Sequence, residues 1–120
     1  MIAIIDYDAG NIKSVEKALL YLGQEVKITS APSEILSADK VILPGVGAFG
    51  DAMEKLKERH LDDVIRKVTE KGTPSLGICL GLKLLFERSD EANGVEGLGI
   101  LEGEICRIPS CEGLKIPNKE

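Results

Sequence analysis

A chain of 120 residues, 43% of them hydrophobic and 29% charged, holds enough apolar material for one compact core and too little for two domains. Fifteen Lys and Arg against 20 Asp and Glu give a net charge of -5, and aromatics make up 3% of residues; basic patches and stacking platforms are therefore scarce, and no nucleic acid is expected as a partner. The N-terminus has no basic n-region, its first apolar stretch stops at Asp6, and no later run approaches the length of a membrane helix, so neither a membrane nor a targeting segment is expected.

Ile2 to Ile5 is a short apolar run rich in β-branched residues, the form of a strand buried on both faces. Asn11 can cap a helix in which Ile12, Val15, Leu19 and Leu22 recur at spacings of three and four, with Gly23 suited to the left-handed residue after its end. Glu25 to Thr29 and Lys40 to Leu43 read as the next two strands, the latter stopped by Pro44 and a glycine-punctuated loop through Gly50. Asp51 to Lys71 is helical in pattern, with a slip of phase near His60 that predicts a break or bend. Ser75 to Ile78 is a fourth strand leading into Cys79, and Leu82, Leu84, Leu85 and Phe86 line the helix that follows. Gly99 to Leu101 and Glu104 to Ile108 are candidates for further strands, and Cys111 to Glu120 forms a short tail. The order β-α-β-β-α-β-α-β predicts an α/β fold with a mostly parallel, doubly wound sheet.

Cys79 falls on a strand-to-helix turn, the place where open α/β sheets present nucleophiles at their carboxyl edge. Gly77 and Gly81, two residues to either side, allow a tight bend and a close approach of another chain, while the Leu80 N–H can face a developing oxyanion. The competing reading of any free cysteine is a small buried hydrophobe. Gly45, Val46 and Gly47 also follow a strand, and their N–H groups can complete an oxyanion hole. A phosphate cradle is the rival there, but no Gly-Lys-Ser/Thr follows; a plain tight turn is the other. The three cysteines, at 79, 106 and 111, fit neither a zinc site nor a CxxC motif, so no metal is expected, and an odd number leaves at least one unpaired, which favours a reducing cytoplasm.

Three segments in order, Ile5-Asp6-Tyr7-Asp8-Ala9-Gly10-Asn11-Ile12-Lys13-Ser14-Val15, Leu43 to Gly50, and Gly77-Ile78-Cys79-Leu80-Gly81-Leu82, resemble the class I glutamine amidotransferases. Within them the sequence is similar to the HisH-type glutaminase subunits of imidazole glycerol phosphate synthase from residue 2 to about 117. The resemblance implies a flavodoxin- or Rossmann-like glutaminase fold, with Cys79 attacking the side-chain amide of glutamine and Leu80 with the loop from Pro44 to Gly47 holding the oxyanion. It also implies ammonia delivery to a HisF-like cyclase subunit with a (β/α)8 barrel, in histidine biosynthesis, with no cofactor.

The chain departs from that pattern in several places. A His that activates the cysteine and a Glu that orients it belong to a downstream His-x-Glu segment, and no His follows residue 60 here. Lys115-Ile116-Pro117 resembles the start of a longer family stretch, after which Asn118-Lys119-Glu120 diverges. The chain is therefore expected to be the N-terminal portion of a single amidotransferase domain, 1–120, incomplete at its C-terminal end and inactive alone. The alternative is a non-catalytic α/β interaction module that retains the fold. His60, set in a helical pattern with Lys57, Glu58 and Arg59, reads as a helix residue rather than a substitute base. Lys83 stands where the family commonly has a substrate-binding Gln, and Glu91 is placed to meet the substrate amine, though both also suit a solvated surface. Asp8 replaces a usual Gly at a turn, and Asp6 with Asp8 suggests the metal pocket of a signalling receiver, which Leu43-Pro44-Gly45 contradicts by offering no phospho-acceptor Asp. An open sheet edge is expected near Glu104 to Ile116, with a tail from about 110 that is poorly ordered or paired with another chain.

Overall fold

The computed structural model describes residues 1–9 and 11–108. Its centre is strand β1 (Ile2–Ile5), buried at all four positions as its unbroken apolar run requires. Because side chains alternate across a strand, Ala3 and Ile5 enter one apolar layer while Ile2 and Ile4 enter the other. Strand β2 (Val26–Thr29) and strand β3 (Lys40–Leu43) flank β1, with Ile2 opposite Val26 on one side and Lys40 on the other. Strand β4 (Ser75–Gly77) adds to β3, giving a four-stranded, all-parallel sheet in the order β2-β1-β3-β4. Helices on both faces make it the doubly wound α/β architecture that the sequence predicts.

The two faces are covered unequally. One carries helix α2 (Pro32–Ser37), helix α3 (Phe49–Glu58), helix α4 (Leu61–Glu70) and helix α5 (Leu80–Leu84), which bury Ile35, Phe49, Met53, Leu56, Leu61, Ile65, Val68 and Leu84 against Ala3, Ile5 and Val41. The other carries helix α1 (Ile12–Tyr21), whose Ile12, Val15 and Leu19 pack on Ile2, Ile4 and Ile42 without any α1 residue becoming fully buried. Asn11 takes the N-cap position but makes no side-chain capping bond. Gly23, at φ 79°, ends the helix as predicted: its N–H reaches the Leu20 carbonyl, and that of Gln24 the Leu19 carbonyl. That turn directs Leu22 out of the apolar stripe, to 67% exposure.

Other differences have local causes. The break or bend expected near His60 is present: the helical pattern over 51–71 divides into two helices at Arg59 and His60, where His60 adopts φ 57° and its N–H closes on the Lys57 carbonyl. Helix α2, unforeseen, is six residues with Pro32 in its first turn and a single buried side chain, Ile35, too short to show a period. Helix α5 stops at Leu84, leaving Leu82 46% exposed and Phe86 beyond its end. Residues 99–101 form no strand: Leu98 and Ile100 donate to the Leu84 and Leu85 carbonyls, which ties this segment to the end of α5. Of the expected strand 104–108 only β6 (Glu104–Ile105) forms, paired in parallel with an unforeseen β5 (Arg88–Ser89) in a separate two-stranded sheet. The tail expected from about 110, and Cys111 and Lys115 to Pro117 within it, lie outside the described residues, as does Gly10 of the N-terminal motif. No helix among the described residues is long and apolar enough to cross a membrane.

Candidate active site

Parallel pairing of β3 with β4 brings the segments that leave their carboxyl ends side by side. The 44–48 loop leaves β3, and Ile78 and Cys79 leave β4; the Ile78 N–H donates to the Leu43 carbonyl at 3.0 Å and carries the pairing one residue beyond the strand. Cys79 is exposed and holds φ 53° and ψ −121°, a backbone conformation that L-residues rarely adopt. Its carbonyl accepts from the Leu82 N–H at 3.0 Å and starts α5, so the thiol stands at the apex of a strand-to-helix elbow.

The glycines around it are sterically required. A Cβ on Gly81 would overlap the Leu43 carbonyl oxygen, and one on Gly77 would lie 2.7 Å from the Leu82 Cα. A Cβ on Gly45 would lie 2.5 Å from the Tyr7 hydroxyl and 2.9 Å from the Gly81 nitrogen. Three glycines thus let the loop and the elbow meet at backbone distance and let the Tyr7 hydroxyl reach Gly45, which is the packing reason for the G-x-C-x-G and Pro-Gly patterns.

Leu80 donates its N–H to the Gly45 carbonyl at 3.2 Å. The peptide bonds are trans, so the Val46 N–H, on the far side of the same planar unit, points away from Leu80. Leu80 and Gly45 are thus neighbours, and the Leu80 and Val46 N–H groups lie in line through this peptide, pointing the same way, rather than converging on one oxygen. Neither Val46 nor Gly47, which has φ 101°, donates a backbone hydrogen bond among the described residues, and both are exposed. Turning the single peptide between Gly45 and Val46 would free the Leu80 N–H and bring the Val46 N–H toward the elbow.

Glu91 lies beside this loop: its Oε1 accepts from the Phe49 N–H at 3.0 Å, at the start of α3. Lys83, half-buried, is on α5 one turn beyond Cys79. Asp8 holds φ 63°, which explains why a Gly suits that turn; its N–H donates to Asp6 Oδ1, and its carbonyl accepts from Lys55 Nζ. His60, the chain's single histidine, is exposed beyond the C-terminal end of α3. The ten residues of α3 span roughly 15 Å and separate it from the loop that enters the helix at Phe49.

Sequence reasoning missed Tyr7. It is buried, it donates its hydroxyl to the Pro44 carbonyl at 2.6 Å, and burial holds its pKa well above the ordinary phenol range, so it remains a donor. The one signal in the sequence was an aromatic with a polar tip directly after a buried strand's end.

A family model of the CobB/CobQ-like glutamine amidotransferase domain matches residues 2–110. The chain belongs to this amidotransferase family. Among similar proteins, the imidazole glycerol phosphate synthase subunit HisH of Bacillus cereus (strain G9842) is 60% identical over 108 residues, covering 90% of this chain and 52% of the relative. The HisH subunit of Moorella thermoacetica is 55% identical over 117 residues, covering 98% and 55%. A crystal structure of a glutamine amidotransferase superposes with a TM-score of 0.75 at 25% identity, covering 89% of this chain and 57% of that one. The amidotransferase chain therefore spans about half the length of the relatives it matches.

Proposed function

We propose that this chain is the nucleophile-bearing, N-terminal portion of the glutaminase subunit of an imidazole glycerol phosphate synthase. The observation that carries the reading is the meeting of an exposed Cys79 elbow with the glycine loop of β3 through the Leu80 to Gly45 contact. In this reading the Cys79 thiolate adds to the amide carbon of glutamine, and the oxyanion is held by N–H groups of Leu80 and of the Gly45, Val46 and Gly47 loop once the peptide after Gly45 has turned. The C–N bond then breaks, ammonia leaves with a proton, and water hydrolyses the γ-glutamyl thioester to glutamate and free thiol. Glu91 and Lys83 border the place where the amino-acid end of glutamine would lie. Ammonia passes to a cyclase subunit with a (β/α)8 barrel, and the exposed thiols of Cys79 and Cys106 suit a cytoplasmic setting.

Proton transfer needs a base that His60, at the far end of α3, does not supply. Absence of a general base commonly costs about 10² to 10⁴ in rate. The chain alone is therefore expected to acylate at Cys79 without turning over. A chloroketone analogue of glutamine tests this: selective labelling of Cys79, suppressed by glutamine, supports a preformed site. Equal labelling of Cys79, Cys106 and Cys111 removes the reading and leaves a non-catalytic module of the same fold.

A further inference from the structure

The loop that would bind the oxyanion is held from below by a residue outside the G-x-C-x-G pattern. Tyr7 follows β1, the strand next to β3, and its ring is fully buried in the main apolar layer. Its hydroxyl donates to the Pro44 carbonyl at 2.6 Å and abuts the α-carbon of Gly45, since a Cβ there would lie 2.5 Å from it. The peptide between Pro44 and Gly45 is thus fixed by a buried bond. Among the described residues the next peptide, between Gly45 and Val46, is held only where its carbonyl meets the Leu80 N–H at 3.2 Å. One peptide is anchored and its neighbour can turn.

We propose that Tyr7 is a positioning residue for the oxyanion loop: its hydroxyl, by fixing the Pro44 carbonyl, sets the orientation of the Gly45 to Val46 peptide relative to Leu80 and Cys79. Without that anchor the backbone on both sides of Gly45, already free of a Cβ, gains freedom, and neither the Gly45 contact with Leu80 nor the turn of the next peptide that would bring the two donors together starts from a fixed position. Burial keeps the hydroxyl protonated and places its bond to Pro44 in a region of low dielectric, where losing it has a local and measurable effect.

The proposal rests on Cys79 being the glutamine nucleophile, and two measurements on Tyr7→Phe separate the claims. The first is amide exchange: the Leu80 N–H should exchange about tenfold faster in the variant, the size of one lost hydrogen bond, while the amides of β1 and α4 keep their protection. A merely structural role would move all of them together. Unchanged Leu80 exchange, or uniform acceleration across the chain, overturns the proposal. The second is affinity for the aldehyde analogue of glutamine, whose carbonyl carbon takes the Cys79 sulfur while its oxygen takes the proton, giving a hemithioacetal that uses the oxyanion donors. Affinity should fall about tenfold in Tyr7→Phe, while alkylation of Cys79 by iodoacetamide, which forms no oxyanion, stays within twofold. Unchanged or tighter aldehyde binding overturns the proposal. If the unsubstituted chain binds this aldehyde no better than propanal, the glutaminase reading fails and the loop's oxyanion role with it, whatever the exchange data show. Should Tyr7→Phe not fold, the unsubstituted chain still decides: the Tyr7 hydroxyl proton should exchange slowly and show cross-peaks to the Gly45 α-protons, unlike that of Tyr21, which is 91% exposed. A Tyr7 hydroxyl exchanging as fast as that of Tyr21 overturns the proposal.

Discussion

Cys79 carries its side chain at φ 53° and ψ −121°, where an L-residue is strained by about 1–3 kcal/mol. Because its thiol is exposed, few packing contacts offset that strain. Glycine relieves it at an entropic cost of roughly 0.5–1 kcal/mol. Cys79→Gly is therefore expected to stabilise the chain by about 1 kcal/mol, a rise of about 4 °C in Tm for a domain of this size, while abolishing labelling by the glutamine analogue. An unchanged or lower Tm would show that the elbow is unstrained. The glycines that permit the elbow were legible in the sequence because each marks a place where no side chain fits. Tyr7 was not: its partner, Pro44, is 37 residues away, and an aromatic after a buried strand reads equally well as core. The orientation of the Leu80 N–H was equally hidden, since spacing places a donor near a nucleophile but says nothing about which carbonyl it meets first.

At the level of elements, strand β2 and helix α2 are joined by polar contacts where apolar packing is thin. Glu34 on α2 pairs with Lys27 and accepts from Thr29 Oγ1 at 2.7 Å, and Thr29 Oγ1 in turn accepts from the Ala31 N–H that opens the helix. Lys27, followed by Thr29, holds the Glu34 carboxyl below its ordinary range. A depressed carboxylate pKa means that the folded chain binds the proton less readily than the unfolded one. The contribution of Glu34 is thus complete above the ordinary carboxylate range, near pH 4, and is lost as pH falls through the folded-state value. Between pH 6 and pH 3 the Tm of the unsubstituted chain should fall further than that of Glu34→Gln, and the gap should narrow in high salt because the pair is partly exposed. Parallel Tm curves across that range would sink the assignment. This corner was also where sequence reading failed, because a six-residue helix with one buried side chain leaves no period to detect, whereas β1, β3 and the α3 to α4 break are written in continuous apolar runs and in a slip of phase. The short β5 escaped notice for the same reason, since the two residues Arg88–Ser89 carry no alternation, whereas β6 is the first part of the strand expected over Glu104 to Ile108.

Over the whole molecule the stabilisation is one-sided. Helices α2 to α5 bury the main apolar layer, whereas α1 leaves its side of the sheet partly open, and a groove lined by Ile2, Leu19, Val41, Ile42, Pro74 and Leu76 runs beside it toward β4. Among the described residues β4 is also an edge of the four-stranded sheet, so unpaired backbone groups and apolar side chains lie together. Of the open edge expected near Glu104 to Ile116, Glu104–Ile105 pairs with β5 and residues 109–116 lie outside the described residues, so β4 is an edge that was not expected. Leu76, 56% exposed in the middle of β4, is the side chain that would place a charge on both the edge and the groove. Leu76→Lys should lower concentration-dependent association of the isolated chain, measured by sedimentation or light scattering, because a lysine on a free edge opposes pairing by a second copy. Since the side chain is already more than half in water, the substitution should change stability by no more than about 0.5 kcal/mol. Association that persists unchanged in Leu76→Lys would move the sticky surface elsewhere, to the exposed Leu20, Tyr21 and Leu22 at the end of α1. A large loss of Tm would instead show that Leu76 belongs to the core.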